Sequence, residues 1–295
     1  MLTSQSISRR WFLGGSTAAF AAAALSSTQA SEDRGAAGND EPDLPLVDYH
    51  AHLDNSSIDP VVRLAQERGV RLGIVEHAGT KENKYPVVLS TDDELRAYMK
   101  MLDGKGVYKG VQAEWTDWMT CFSPEVLAQL DYVLTDAMTF PGRDGQRVKL
   151  WEKAAEQQID MHNYERFMDR FVDWHVEIMS TEPFDILANA SWLPDALIAG
   201  YDDLWTERRI QKVLDSALKY GIAIEISSSY KLPRLAFLKQ AKAAGLKFSF
   251  GSNGRYPKMA QLDYSVAMAK TLGIRAPDMF VPGTQGHEAV QRRKT

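Results

Sequence analysis

Leu46-Val47-Asp48-Tyr49-His50-Ala51-His52 is the stretch whose reading decides the fold. Three largely apolar residues and an acid run into a His-x-His pair. A short apolar run of this kind reads as a buried strand. Residues i and i+2 of a strand share a face, so His50 and His52 project together from one strand end. Two imidazoles placed in this way can hold one metal ion. The plain alternative is a pair of structural or surface histidines. A third histidine, in Glu76-His77-Ala78-Gly79, follows the next apolar run, Leu72 to Val75, and adds weight to the metal reading.

Outward from that strand, the chain alternates between strand and helix. Asp59-Pro60 opens a helix to about Glu67, with Pro60 suited to the first turn. Leu72 to Val75 is the second strand. Ser90-Thr91-Asp92-Asp93-Glu94 caps a helix to about Leu102, with acids at its positive end. Val107 to Ala113 is the third strand, Ser123-Pro124-Glu125 starts a short helix, and Tyr132 to Leu134 is the fourth strand. Residues 140–160 read as a polar excursion over the rim. A long helix follows from Tyr164 to Met179, then a fifth strand from Phe184 to Leu187. A helix is expected from Asp203 to Tyr220, a sixth strand from Ile222 to Ile226, and a helix from Pro233 to Ala244. Leu246 to Phe250 is the seventh strand, and the last helix is expected from Tyr256 to Leu272. Seven strand–helix units argue for an α/β fold, a parallel barrel or a doubly wound sheet. In either, ligand groups gather at the C-terminal ends of the strands.

The chain has 295 residues, enough for one large domain with a sizeable core. Hydrophobic residues make up 44% and charged residues 25%, ordinary for a soluble globular protein. The net charge of −5 offers no polyanion-binding surface, so nucleic acid is not an expected partner. The single cysteine, Cys121, excludes an intrachain disulfide.

The N-terminus reads as a targeting segment. Ser8-Arg9-Arg10-Trp11-Phe12-Leu13 places paired arginines before a small-residue apolar run, Gly14 to Leu25, and Thr28-Gln29-Ala30 offers a small-x-small cleavage site. This resembles a twin-arginine signal over residues 1–30, which implies the twin-arginine export machinery as a partner and a periplasmic or secreted location. The run is too short and too rich in alanine and glycine to favour a membrane span. Residues 31–43 read as a flexible lead-in, 44–275 as the barrel domain and 276–295 as a C-terminal tail.

Beyond the first two strands, further segments carry a family likeness: Lys109-Gly110-Val111-Gln112-Ala113-Glu114, Asp131-Tyr132-Val133-Leu134, Asp185-Ile186-Leu187-Ala188-Asn189, Ile224-Glu225-Ile226 and Phe250-Gly251-Ser252-Asn253. With them, the chain from about Leu44 to Gly273 resembles the PHP family, the polymerase-and-histidinol-phosphatase domain. That resemblance implies a distorted seven-stranded (βα)7 parallel barrel. It also implies phosphoester hydrolysis by two or three metal ions at the strand ends.

Several positions depart from the family pattern. Gln112 stands where the family has a glutamate. Met138 and Asn189 stand in histidine positions, and Asn253-Gly254-Arg255 replaces Asp-x-His. His50, His52 and His77 remain as metal ligands. Amides bring no negative charge, Met138 is a soft ligand, and Arg255 repels a cation. The expected cofactor is therefore a divalent metal, Zn, Mn or Fe, with fewer than three ions. Glu114, Asp136 and Asp54 are candidate acids near the site, each with the alternative of a solvated or hydrogen-bonded carboxylate. Glu114 or Asp136 would move the proton. Arg255, Asn253, Asn189, Gln112 and Glu225 are candidate substrate contacts. An arginine there supplies fixed charge and paired donors for a phosphate or carboxylate. Trp115, Trp118 and Trp192 follow presumed strands and could stack on a sugar ring or simply pack. Lys231 follows the sixth strand and reads as exposed. His162 and His175 read as structural, and His287 as an exposed residue of the tail.

Two function classes follow. One is an exported metal-dependent hydrolase, most simply a phosphoesterase, acting on a small phosphorylated or sugar-like molecule. The other is a PHP-like protein without metal catalysis that binds an anionic or sugar-like ligand, or a carbohydrate-active enzyme on the same barrel. Metal content of the purified protein separates them.

Overall fold

Seven parallel strands close on themselves at the centre of the molecule. The computed structural model describes residues 44–54, 56–160 and 162–283; the expected signal, the lead-in and His287 lie outside the described residues. The strands are β1 (Val47–His52), β2 (Arg71–Ala78), β3 (Tyr108–Ala113), β4 (Tyr132–Thr135), β5 (Ile186–Leu187), β6 (Ala223–Ser227) and β7 (Phe248–Gly251). Each pairs in parallel with the next, and β7 returns to β1 with Asp48 opposite Phe250. The expected (βα)7 barrel is the observed fold. At least one helix follows each strand, among them α1 (Ile58–Glu67), α2 (Asp92–Leu102), α3 (Pro124–Leu127), α4 (Tyr164–Thr181), α5 (Glu207–Tyr220), α6 (Leu235–Ala243) and α7 (Asp263–Leu272). No helix among the described residues is long and apolar enough to cross a membrane.

Local chemistry sets most helix ends. Thr91 Oγ1 accepts from Glu94 N at 3.2 Å at the start of α2, as an N-cap residue should. Gly221 (φ +65°) ends α5 and Gly273 (φ +62°) ends α7 in the left-handed region. The helices bury apolar stripes at 3–4 residue spacing against the barrel, such as Ile58, Val61 and Ala65 of α1.

Two helix expectations change. The helix expected from Asp203 is interrupted: Tyr201–Leu204 forms a short turn of its own, and α5 restarts after Thr206, whose hydroxyl caps Arg209 N at 3.4 Å. The helix expected from Tyr256 begins only at Asp263. Tertiary contacts claim the backbone in between: Ala260 N donates to Asp48 Oδ2 at 2.9 Å, and the Pro257 and Met259 carbonyls accept from Arg68.

The barrel interior is aromatic at its lower end. Val47, Tyr49, Val75, Tyr132, Leu134, Ile186, Ala223 and Phe280 pack there. Tyr132 fits because β2 and β3 carry glycines beside it: a Cβ at Gly73 would lie 2.4 Å from Tyr132 Oη, and one at Gly110 2.5 Å from Cζ. Phe280, in the segment read from sequence as tail, donates its N–H to Phe248 O at 2.7 Å and is buried.

The β1 register carries one irregularity with large effect. Between Asp48 and Ala51 the strand shifts against β2, three residues against two. Such a bulge resets the alternation of faces. Tyr49 therefore faces the aromatic interior, while His50 and His52 also point inward, into the barrel mouth.

Candidate metal centre and its cavity

The mouth is assembled from the C-terminal ends of all seven strands. His50 and His52 come from β1, Glu76 and His77 from β2, Gln112 from β3 and Glu225 from β6. Glu114, Asp136, Asn189, Asn253 and Arg255 follow β3, β4, β5 and β7. Above them lies a cavity of about 200 Å³ lined by His77, Tyr85, Gln112, Asp136, Met138, Trp151, Asn189, Tyr230, Asn253 and Arg255.

The floor of that cavity has two parts. The first is a trio. One ligand atom each from His52, Asp54 and His77 lies within 4.8 Å of the others. Among the described residues, both ring nitrogens of His52, Nε2 of His77 and Oδ1 of Asp54 are buried without a well-formed hydrogen bond, and the Gln112 amide is the polar neighbour of His52. His52 and His77 stack at 4.8 Å between centroids. Burial holds both imidazoles in the neutral form, His77 down to about 3 and His52 well below its ordinary value. Neutral imidazole is the ligating form. His77 Nδ1 lies 2.8 Å from Glu114 Oε1. With the proton on Nδ1, the Nε2 lone pair is turned to the trio, as a carboxylate behind a ligating histidine does.

Asp54 is set by its neighbours. Glu76 Oε1 accepts from the backbone N–H of Leu53 at 3.0 Å and of Asp54 at 2.8 Å, which holds Asp54 at φ +47°. Its Oδ2 accepts from Arg255 Nε at 2.9 Å.

The second part is a closed ring of hydrogen bonds. His50 Nδ1 meets Glu225 Oε1 at 2.7 Å, and His50 Nε2 meets Gln112 Oε1 at 3.1 Å. Gln112 Nε2 donates to Asp136 Oδ2 at 3.5 Å and Asn189 Nδ2 donates to the same oxygen at 3.2 Å. Asn189 N donates to Glu225 Oε2 at 2.9 Å and completes the circuit. Burial alone would depress His50, but the Glu225 carboxylate outweighs it and lifts the imidazole above its usual value. Gly251 leaves the space this requires, since a Cβ there would lie 1.8 Å from Glu225 Oε1.

Burial also raises the acids. Glu76 rises to about 7, Glu114 to about 8, and Asp136, with Glu114 as a second cause, to about 6. Only Asp136 of the three lines the cavity. Glu114, expected as a proton carrier, is turned to His77 on one oxygen and to the Tyr85 hydroxyl, 3.1 Å away, on the other.

All ten residues expected at the site therefore lie at one end of the barrel, where His50 is hydrogen-bonded to Glu225 and Gln112, and Glu114 to His77 and Tyr85. Asp48, Glu76, Tyr85, Trp151 and Tyr230 went unrecognised. Tyr85 stacks on His77 at 3.6 Å and 8°. It sits in a loop held by the excursion over the rim, which forms a hairpin pairing Thr139–Pro141 with Arg147–Lys149. Arg147 donates to Thr80 Oγ1 at 2.7 Å and Asn83 Oδ1 at 3.1 Å, and Lys149 lies over the Tyr85 ring. Trp118 and Trp192 are buried in the core, Trp115 stands beside Trp174, and none of the three lines the cavity. Lys231 is exposed and outside the lining, His162 is exposed, and His175 is buried with Nδ1 on Phe171 O at 2.8 Å.

No protein-family model and no curated protein matches the chain. Solved structures do match. One is the histidinol phosphate phosphatase of Lactococcus lactis subsp. lactis Il1403, in complex with Zn, L-histidinol and phosphate. Its TM-score is 0.53 at 14% identity, over 78% of this chain and 92% of that one. The likeness is one of fold. An HpcH/HpaI aldolase of Desulfitobacterium hafniense DCB-2 is more distant, with a TM-score of 0.36 at 12% identity over 82% of this chain and 95% of that one.

Proposed function

We propose that the chain is a metal-dependent hydrolase of small phosphoesters. The observation that carries this reading is the convergence of His52, Asp54 and His77, each of which has a buried nitrogen or oxygen without a well-formed hydrogen bond among the described residues. Buried polar atoms without partners are uncommon and call for an explanation. Two imidazole nitrogens and a carboxylate oxygen suit zinc, manganese or iron. When bound, such an ion supplies a water activated near neutral pH and a Lewis acid toward the ester.

The chain's own residues divide the remaining tasks. Glu114 orients His77, and Glu76 orients Asp54 through the backbone of residues 53–54. Asp136 lines the cavity, and its pKa of about 6 allows it to take or return a proton at a carboxylate oxygen near neutral pH. Arg255 brings positive charge to the wall. The cavity of about 200 Å³ suits a small molecule rather than a polymer. That the Lactococcus lactis structure holds L-histidinol and phosphate supports a small phosphorylated substrate.

The test is phosphate release from p-nitrophenyl phosphate by purified protein supplied with zinc, manganese or iron. His52→Ala and His77→Ala should each abolish the metal-dependent rate and the bound metal together. Protein that binds none of these metals and releases no phosphate would sink the proposal.

A further inference from the structure

Building on that metal reading, we infer that the site is built for one metal ion and that Arg255 stands beside it as a second, permanent cation for an oxyanion of the substrate.

The polar groups of the mouth are nearly all committed to one another. His50 cannot ligate without giving up Glu225 or Gln112, each a buried group that would lose its partner. The amides of Gln112 and Asn189 each give one N–H to Asp136 Oδ2, the Gln112 amide also neighbours His52, and Asp136 Oδ1 accepts from Met138 N at 2.9 Å. The ring leaves over one neutral acceptor, Asn189 Oδ1. Glu76 Oε2 also lacks a partner, but it is not part of the 4.8 Å trio. A single set of converging donors remains, and it is His52, Asp54 and His77.

Arg255 occupies the other side of the same carboxylate. Asp54 keeps Oδ1 buried without a hydrogen bond among the described residues and gives Oδ2 to Arg255 Nε. Arg255 Nη1 is held by Asn253 O at 2.9 Å and Asn253 Oδ1 at 2.8 Å. Three hydrogen bonds thus fix the plane of the guanidinium, and Nη2 makes none among the described residues. The side chain is 42% exposed and lines the cavity with His77 and Asp136. The Nη2 amino group of a guanidinium held in this way keeps its N–H donors and the permanent charge for an oxyanion. Phosphate and carboxylate share that chemistry.

The experiment uses the full chain, metal counted by elemental analysis and inorganic phosphate binding measured by calorimetry. Both metal-loaded and chelator-stripped protein are titrated. One metal per chain is expected in the unmodified protein and in Arg255→Gln. Stripped protein should still bind phosphate. Arg255→Gln should bind it at least tenfold more weakly in both states, and Arg255→Lys should restore part of the loss. Two or more metals per chain would overturn the one-metal assignment. Phosphate affinity unchanged in Arg255→Gln, or absent from stripped unmodified protein, would overturn the role of Arg255. Arg255-dependent phosphate binding in a protein that takes up no metal would reject the hydrolase reading and the metal half, and would uphold the arginine. Acetate is the second probe: weaker binding than phosphate is expected, and equal binding would reassign the ligand class to carboxylates.

Discussion

Replacing Asp48 should cost more than replacing any proposed metal ligand, although Asp48 touches no part of the cavity lining. Its carboxylate is fully buried and accepts four hydrogen bonds: from His50 N at 3.1 Å, Ser252 N at 2.8 Å, Ser252 Oγ at 2.5 Å and Ala260 N at 2.9 Å. It therefore ties the β1 bulge to the segment that carries Asn253 and Arg255. Burial pushes this carboxyl up and the four donors pull it down. Asp48→Ala leaves three backbone N–H groups buried without partners. At about 1–3 kcal/mol for each, and allowing for relaxation, the loss is about 4–6 kcal/mol. Asp48→Asn keeps the shape and one oxygen but turns an amide toward Ala260 N, for about 2–3 kcal/mol. In a domain of this size, that is a melting-point drop of roughly 4–12 °C for the asparagine variant. Thermal unfolding followed by circular dichroism measures both, and phosphate binding at Arg255 should weaken in parallel. An Asp48→Asn protein within about 0.5 kcal/mol of the original, the usual span of a neutral surface change, would refute the bracing role. So would an alanine variant no worse than the asparagine one.

Three further outcomes are expected. Gly110→Ala would press a Cβ to 2.5 Å from Tyr132 Cζ, and Tyr132 is held by its hydroxyl on Tyr49 O at 2.7 Å; a loss of about 3 kcal/mol is expected, partly returned by Tyr132→Leu, and an unchanged urea midpoint would contradict the packing. The metal-stripped protein should lose stability as pH rises from about 6.5 to about 8, since acids whose folded pKa is raised stabilise only while protonated. Glu76 at about 7 and Glu114 at about 8 titrate across that window, whereas His77 and His175, lowered to about 3 and about 4, are neutral in the folded chain throughout it and oppose the loss only at its lower edge, where histidines of the unfolded chain, at about 6.5, still hold protons; a melting point that holds or rises in its upper half counts against the raised acids. Arg9→Lys with Arg10→Lys should keep the chain in the cytoplasm of an expressing bacterium, seen by fractionation, and undiminished export would remove the twin-arginine reading.

Much of this architecture was legible in the residues. Seven apolar runs separated by capped, amphipathic segments specify a parallel barrel because each signal is local. The positions of His50, His52 and His77 at strand ends were legible for the same reason. What was not legible depends on partners far apart in the chain. Nothing near Gln112 or Asn189 announces that their amides meet on Asp136, and nothing near Arg255 announces Asp54, 201 positions away. Tyr85, Trp151 and Tyr230 lie in segments without periodicity. The late start of α7 likewise reflects Asp48 and Arg68 reaching in from elsewhere.

The extra residue in β1 divides that strand into two stretches that answer to different demands. Up to Tyr49 the inward-facing side chains of the strand are constrained by close packing against Tyr132 and Phe280. From His50 onward it is constrained by which atoms can share a proton or a cation. Without the offset, one alternation would have to serve both, and each change to the chemistry would disturb the plug beneath it. With the offset, side chains at the mouth can change while the interior stays as it is, and the barrel keeps its closure.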